Sequence, residues 1–316
     1  VKSNLDHWLA HGLHKRAAAA DVEEAAKQGM LRGGTAGVLA ADGTAYGKCP
    51  RVAYLRAKGI QPAIEPAALE LFEAGYASEP AILSRLALGL PEGYSLGTPE
   101  QMDFTWTTDS GMVVSGRPDG GVFKDGQLQF GIELKLAASM WTVFSVTYDL
   151  RPKSDHLIQA AHYSWRHGGA PFALVYSCRA EYHVSTAPKF IKDKFTPGAK
   201  AVDFKDGKPF KIRPHTTVYE LTWNADGFWE YLTDGMERPC PTVITQAGIK
   251  AWYEAVATMD TTDALPPRPG ILAVDGSKSY DPCSYCDFAP QCEQYEFKGR
   301  QAWMDHVMTA TKKGAQ

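Results

Sequence analysis

Met112-Val-Val-Ser-Gly116-Arg117-Pro118-Asp119-Gly-Gly-Val-Phe-Lys124-Asp125-Gly126-Gln127-Leu128-Gln-Phe130-Gly-Ile132-Glu133-Leu134-Lys135-Leu136 is the stretch that decides the fold. Apolar residues recur at every second position through Leu128, Phe130, Ile132 and Leu134, the period of a strand. Lys124-Asp125-Gly126-Gln127 supplies a tight turn before that run. The stretch therefore predicts a hairpin with Asp119 near its first strand and Glu133 and Lys135 on its second. Residues two apart on a strand face the same way, so Glu133 and Lys135 project together.

Outward from the hairpin the periods change. Leu69, Phe72, Tyr76, Ile82, Leu83 and Leu86 recur at helical spacing between about Pro66 and Leu88. Ser154 can cap a helix running to about His167, on which Gln159 and Tyr163, four apart, share a face. Pro171–Cys178 and Thr216–Trp223 read as strands, and helices are expected near 224–236, 246–258 and 293–313. Residues 3–28 read as helical, with breaks at Gly33-Gly34-Thr35 and Asp42-Gly43. Pro266-Pro267-Arg268-Pro269-Gly270 is a stiff connector to a cysteine-rich tail. Strands and helices mixed in this way give an α/β fold. The expected organisation is one domain: an N-terminal helical region 1–48, a core 49–265 and a C-terminal region 266–316.

The composition is that of a globular protein, 44% hydrophobic and 22% charged over 316 residues, with no apolar run that could cross a bilayer. Asp6, His7, His11 and Lys15 interrupt any signal-peptide pattern. The net charge of −3 gives no overall argument for nucleic acid, so such a partner would need a local basic surface. Residues 186–213 offer one: eight basic residues against three aspartates, interleaved with Phe190, Phe195, Phe204 and Phe210. Such a segment suits stacking on unpaired bases, or else it is a solvated insertion whose phenylalanines pack back on the body.

The charged residues of the hairpin suggest a particular chemistry. Hydrolysing a phosphodiester needs a nucleophile at neutral pH and stabilisation of charge on the phosphoryl oxygens. Carboxylates holding Mg²⁺ or Mn²⁺ supply both. Asp119 and Glu133 suit such a metal, with the Leu134 carbonyl as a further ligand, and Lys135 is placed to orient water and offset developing charge. Glu133 and Lys135 would be an ordinary ion pair on an exposed strand. Their apolar flanks Ile132, Leu134 and Leu136 point to a central strand, where ionised groups are costly without metal or partners.

Six cysteines are too few for a disulfide scaffold in a chain of this length. Cys49 stands alone, while Cys283-Ser-Tyr-Cys286 and Cys292 cluster far downstream. Four thiolates hold Zn²⁺ or an iron–sulfur cluster, and spacing does not separate the two. Cys178 and Cys240 read as buried or incidental. Gly43-Thr-Ala-Tyr-Gly47-Lys48-Cys49 falls one residue short of a phosphate loop. His156 and His162 flank the Gln159 helix and read as surface residues, or else as lining a DNA path.

Gly116-Arg117-Pro118-Asp119, Glu133-Leu134-Lys135 and Gln159-Ala-Ala-His-Tyr163 resemble the motifs of the PD-(D/E)XK nuclease superfamily. The glutamine–tyrosine helix is similar to that of its RecB-like branch, which includes the AddB nuclease domain, CRISPR-associated RecB-like exonucleases and viral exonucleases. The resemblance implies a restriction-endonuclease-like mixed central sheet flanked by helices, with terminal helical elaborations joined by a metal cluster. It implies Mg²⁺- or Mn²⁺-dependent DNA hydrolysis by an exonuclease of recombination, repair or end processing. By the same analogy Asp119 and Glu133 are metal ligands, Lys135 is the catalytic lysine, and Gln159 and Tyr163 position the scissile strand. The family's upstream ligand corresponds to Glu79 in Gly75-Tyr-Ala-Ser-Glu79, with Glu73 as the fallback. Cys49, Cys283, Cys286 and Cys292 correspond to the ligands of a [4Fe–4S] cluster. The implied partners are DNA ends and a recombination or single-strand-annealing protein, in the cytoplasm of a prokaryote or an infected host. Two alternatives remain: a nuclease that trims spacers for CRISPR, and a non-catalytic DNA-binding scaffold on the same fold.

Overall fold

Asp125 and Gly126 both take left-handed backbone angles, φ 51° and 76°, as the central pair of a two-residue hairpin turn requires. They join the strands Gly120–Lys124 (β7) and Gln127–Leu136 (β8). Before this hairpin, in chain order, come Met30–Arg32 (β1), Gly37–Leu39 (β2), Ala45–Gly47 (β3), Tyr94–Gly97 (β4), Phe104–Thr107 (β5) and Val113–Gly116 (β6). After it come Phe172–Cys178 (β9), Tyr182–His183 (β10), Val202–Lys205 (β11), Lys208–Ile212 (β12), His215–Trp223 (β13), Phe228–Leu232 (β14) and Glu237–Pro239 (β15). The helices are Pro50–Ala57 (α1), Pro66–Gly89 (α2), Met140–Thr147 (α3), Ser154–Arg166 (α4) and Gln246–Thr262 (α5). The computed structural model describes residues 29–60, 66–147, 152–186, 195, 201–223, 228–232, 237–239, 244–262, 286 and 288.

These elements fall into two compact units. The larger spans Leu71–Phe104 and Gly116–Gln246 and is built on a seven-stranded mixed sheet of order β15-β14-β13-β9-β8-β7-β4. Only β8 and β9 run parallel among its pairs; the others are antiparallel. A parallel pair needs a crossover, and residues 137–171, with α3 and α4, provide it. Alternation along β9 assigns its faces. Ala173 and Val175 pack with Ile82 of α2, Val122, Ile132 and Leu134. Phe172 and Tyr176 turn the other way, with ring contacts to Tyr163 and His156 of α4. Every residue of β9 is buried, as a strand covered on both faces should be. The expected α/β architecture, a mixed central sheet flanked by helices, is what this unit shows.

The close approach of α4's side to the sheet depends on one glycine. A Cβ on Gly131 of β8 would stand 2.2 Å from the Phe172 ring, and Phe172 is itself buried in β9. Gly131→Ala is therefore expected to destabilise the protein by about 1–3 kcal/mol through overpacking, readable as a lowered Tm.

The smaller unit takes in the described parts of Val1–Glu70, Thr105–Ser115 and Ala247–Gln316. Strands β1, β6 and β5 form one small sheet and β2 and β3 a second. Trp252 and Tyr253 of α5 are its largest buried side chains. Gly37 leaves the space that the Trp252 ring occupies, and the Tyr253 hydroxyl donates to the Arg32 carbonyl at 3.0 Å.

Several expectations need correction. Residues 228–232 and 237–239 are strands, in place of the helix expected over 224–236. The aromatic run Phe228-Trp-Glu-Tyr-Leu232 favours a strand, and Asn224-Ala-Asp-Gly227 carries hairpin-turn residues before it. The N-cap of α4 is Lys153, with Ser154 already inside the helix. Tyr76, counted among the apolar residues of α2, is 71% exposed. The terminal helices expected over 3–28 and 293–313 lie outside the described residues, as do Cys240, Cys283 and Cys292. Among the described residues no helix is long and apolar enough to cross a membrane.

Candidate active site

Asp119 is the last residue before β7, and its backbone N–H donates to the Ile132 carbonyl at 3.1 Å. That bond sets the carboxylate beside β8, where Oδ2 accepts from the Leu134 N–H at 2.6 Å. Ile132 and Leu134 belong to the apolar layer under α2, so Glu133 and Lys135 point to the opposite face by strand alternation. There Lys135 Nζ donates to Glu133 Oε1 at 2.5 Å. Glu133 is only 2% exposed, and its second oxygen, Oε2, has no hydrogen-bond partner among the described residues. A half-satisfied carboxylate at this depth is costly.

The electrostatics follow from that burial. Desolvation, and then the Asp119 charge, push the Glu133 carboxyl up to about 8. Glu79 of α2 is pushed up to about 7 by desolvation and by Asp119. Asp119 is raised by its own burial, against the opposing pull of the Leu134 N–H and Lys135. Burial alone would lower the Lys135 ammonium, but Glu133, Asp119 and Asp155 outweigh it and hold its pKa above the ordinary lysine value. Lys135 is thus a fixed positive charge, suited to orienting water and offsetting anionic charge.

Three mutually repelling carboxyls and one orphaned oxygen are what a divalent cation would relieve, so the residues present fit Mg²⁺ or Mn²⁺ bound by oxygen ligands. Asp119 and Glu133 are the pair that would hold it, with Glu79 as the third carboxylate within electrostatic reach. Among the described residues no three acidic, histidine or cysteine side chains already converge on one point. Glu73 lies six residues before Glu79, about 240° around the helix, and does not share its face.

The same carboxyls give a pH dependence. Between pH 5 and 8 the unfolded chain loses protons from Glu79 and Glu133 that the folded protein keeps. Stability without metal therefore falls as pH rises through this window. Added Mn²⁺ should raise the Tm more at pH 8 than at pH 5, because the cation binds the deprotonated form. Calorimetry across this range, with Mn²⁺ or with chelator, reads both effects.

Gln159 and Tyr163 sit on α4, as expected, with Gln159 Nε2 donating to the Tyr163 hydroxyl at 3.0 Å. Both are buried, and the Tyr163 ring meets Phe104 and Phe172. His162 is fully buried against Phe104, so reading it as a surface residue was wrong. Sequence reasoning missed what ties α4 to the site. Tyr176, the register partner of Lys135, accepts from the Lys153 N–H at 3.1 Å and pairs with His156 Nδ1 at 2.8 Å. This pins the start of α4 so that the Asp155 charge is felt by Lys135. The available signal was an acidic residue in the first turn of a predicted helix.

The cysteines divide. Cys49 is the N-cap of α1, followed by Pro50 at the first helical position. Cys286 is half-buried. Two residues on, Phe288 is 2% exposed and lies 5.5 Å from the Arg56 guanidinium of α1. Phe288 therefore packs against the helix that Cys49 begins. Cys178 is buried in β9, as read from sequence.

No protein-family model matches the chain, and no curated protein is similar to it. Among solved structures the chain is similar to one described as "Crystal structure of SSO0001", at 15% identity and a TM-score of 0.40, over 89% of this chain and 94% of that one. A likeness this distant carries no argument about chemistry.

Proposed function

We propose that the protein is a divalent-metal-dependent deoxyribonuclease acting on DNA ends. The observation that carries this reading is the buried, half-satisfied Glu133 beside Lys135 on β8 and Asp119 just before β7, in a central sheet. A bound Mg²⁺ or Mn²⁺ would supply a water of lowered pKa and positive charge against the phosphoryl oxygens. Asp119 and Glu133 would hold the metal, with Glu79 and the Leu134 carbonyl as further candidate oxygen ligands. Lys135 orients the attacking water and offsets charge on the scissile phosphate. Gln159 and Tyr163 set the position of α4, whose first turn adjoins Lys135. Cys49, Cys283, Cys286 and Cys292 would hold a [4Fe–4S] cluster whose role would be structural, tying the C-terminal region to the segment at Cys49. The place of action is the cytoplasm of a prokaryotic or infected cell, in recombination, repair or end processing.

Linear and covalently closed circular DNA of one sequence, incubated with Mn²⁺, test the preference for ends. Linear DNA is expected to be degraded to small products while the circle persists. Equal loss of both would make the activity endonucleolytic.

A further inference from the structure

The segment 186–213 does not present its charge evenly. Lys189, Lys192, Lys194 and Lys200 lie outside the described residues, but β11 and β12 belong to the segment and join β10, just before it, in a small sheet of order β10-β12-β11. Val202 and Ile212 bury one of its faces in a core with Phe144, Phe195 and Val184, and Phe204 packs against the same core. Two of the four phenylalanines are therefore structural. On the opposite face, two of the basic residues are already neutralised. Lys211 pairs with Glu181 at 2.9 Å, and Arg213 with Asp203 at 2.9 Å.

The tip of the β11–β12 hairpin is different. Lys205 and Lys208 are direct cross-strand partners, an arrangement that is unfavourable for like charges. Both are exposed, and among the described residues neither joins an ion pair. Next to them the register slips: Asp203 faces Lys211 and Phe204 faces Pro209, so Phe210 is the extra residue of a bulge. Bulges re-aim side chains. Phe210 is 44% exposed, edge-on to His183 of β10 with ring centroids 5.7 Å apart. Two bare ammonium groups thus stand beside an outward aromatic pair.

We propose that this hairpin tip is a landing site for single-stranded DNA, with Lys205 and Lys208 on consecutive phosphates and Phe210 stacked on an unpaired base. The choice of DNA as ligand rests on the nuclease reading. Placement of the tip comes from register, exposure and charge.

The test is fluorescence anisotropy with labelled oligothymidylate and with a duplex, in EDTA so that no strand is cut, over a range of salt. The paired substitution Lys205→Ala and Lys208→Ala is expected to weaken single-strand binding and to flatten its salt slope by about 0.7 for each phosphate no longer neutralised. Phe210→Ala is expected to weaken single-strand binding about five-fold or more, with the salt slope unchanged and a smaller loss on duplex. Lys211→Ala, which removes a residue already paired, should bind nearly as wild type. All these residues are on the outer face, and an unchanged Tm confirms that the variants fold. Wild-type affinity in the paired lysine variant, or equal losses on single strand and duplex for Phe210→Ala, would overturn the proposal. Hydrolysis on adding Mn²⁺ is scored separately. Binding that follows the expected pattern without hydrolysis counts against the nuclease reading alone, whereas intact hydrolysis with indifferent tip variants counts against the tip alone.

Discussion

Glu133→Gln is expected to reduce DNA hydrolysis by orders of magnitude while raising the Tm of the metal-free protein. The two effects have one cause. In the wild type Glu133 is buried with one oxygen unpartnered and its carboxyl pushed up to about 8. Glutamine keeps the shape and removes the ionisable group, so the stability lost between pH 5 and 8 is recovered and the pH slope flattens. The same change removes a metal ligand, and cleavage fails. Lys135→Ala is expected to reduce cleavage by about 10²–10³-fold with the opposite effect on stability, because it leaves Glu133 without its 2.5 Å partner. Opposite shifts in Tm with a common loss of turnover separate a strained catalytic pair from a structural ion pair. An ordinary structural pair would lose stability in both variants. Wild-type-like cleavage by either variant would remove the catalytic assignment.

The second large effect belongs to the cysteines. Protein purified without oxygen should be brown and carry about four iron and four sulfide per chain, as a cubane cluster requires. Cys283→Ala should lose colour and solubility together. Phe288 lies under Arg56 of α1, and losing a proposed cluster ligand would remove the tether that holds such contacts. Asp119→Ala should keep the colour, since the oxygen-rich site is built on β7 and β8, which carry none of these cysteines. Stoichiometric zinc without sulfide would make the staple a zinc site. Full solubility of the Cys283 variant would remove its structural role.

The central hairpin was legible because its signals are local. Period-two apolar residues, an Asp-Gly turn and the i, i+2 spacing of Glu133 and Lys135 do not depend on the rest of the chain. The Asp119 carboxylate could be assigned to the same site because it directly precedes β7. What escaped was set by distant partners. His162 read as a surface residue because its burial comes from Phe104, far away in sequence. The helix expected over 224–236 overlooked the aromatic run Phe228–Leu232, which pairs with β13 as a strand. The contribution of Asp155 needs Tyr176, on the following strand, to fix the start of α4. In the basic segment, charge could be counted from the sequence, but only register and pairing separate Lys205 and Lys208 from the neutralised Lys211 and Arg213.

The most direct measurement is digestion of end-labelled single- and double-stranded DNA by the wild-type protein with Mg²⁺, with Mn²⁺ and with EDTA. The account predicts release of labelled product with either metal and none with EDTA. Folded protein that binds the DNA but leaves it intact under all three conditions would contradict it and leave the non-catalytic scaffold in its place.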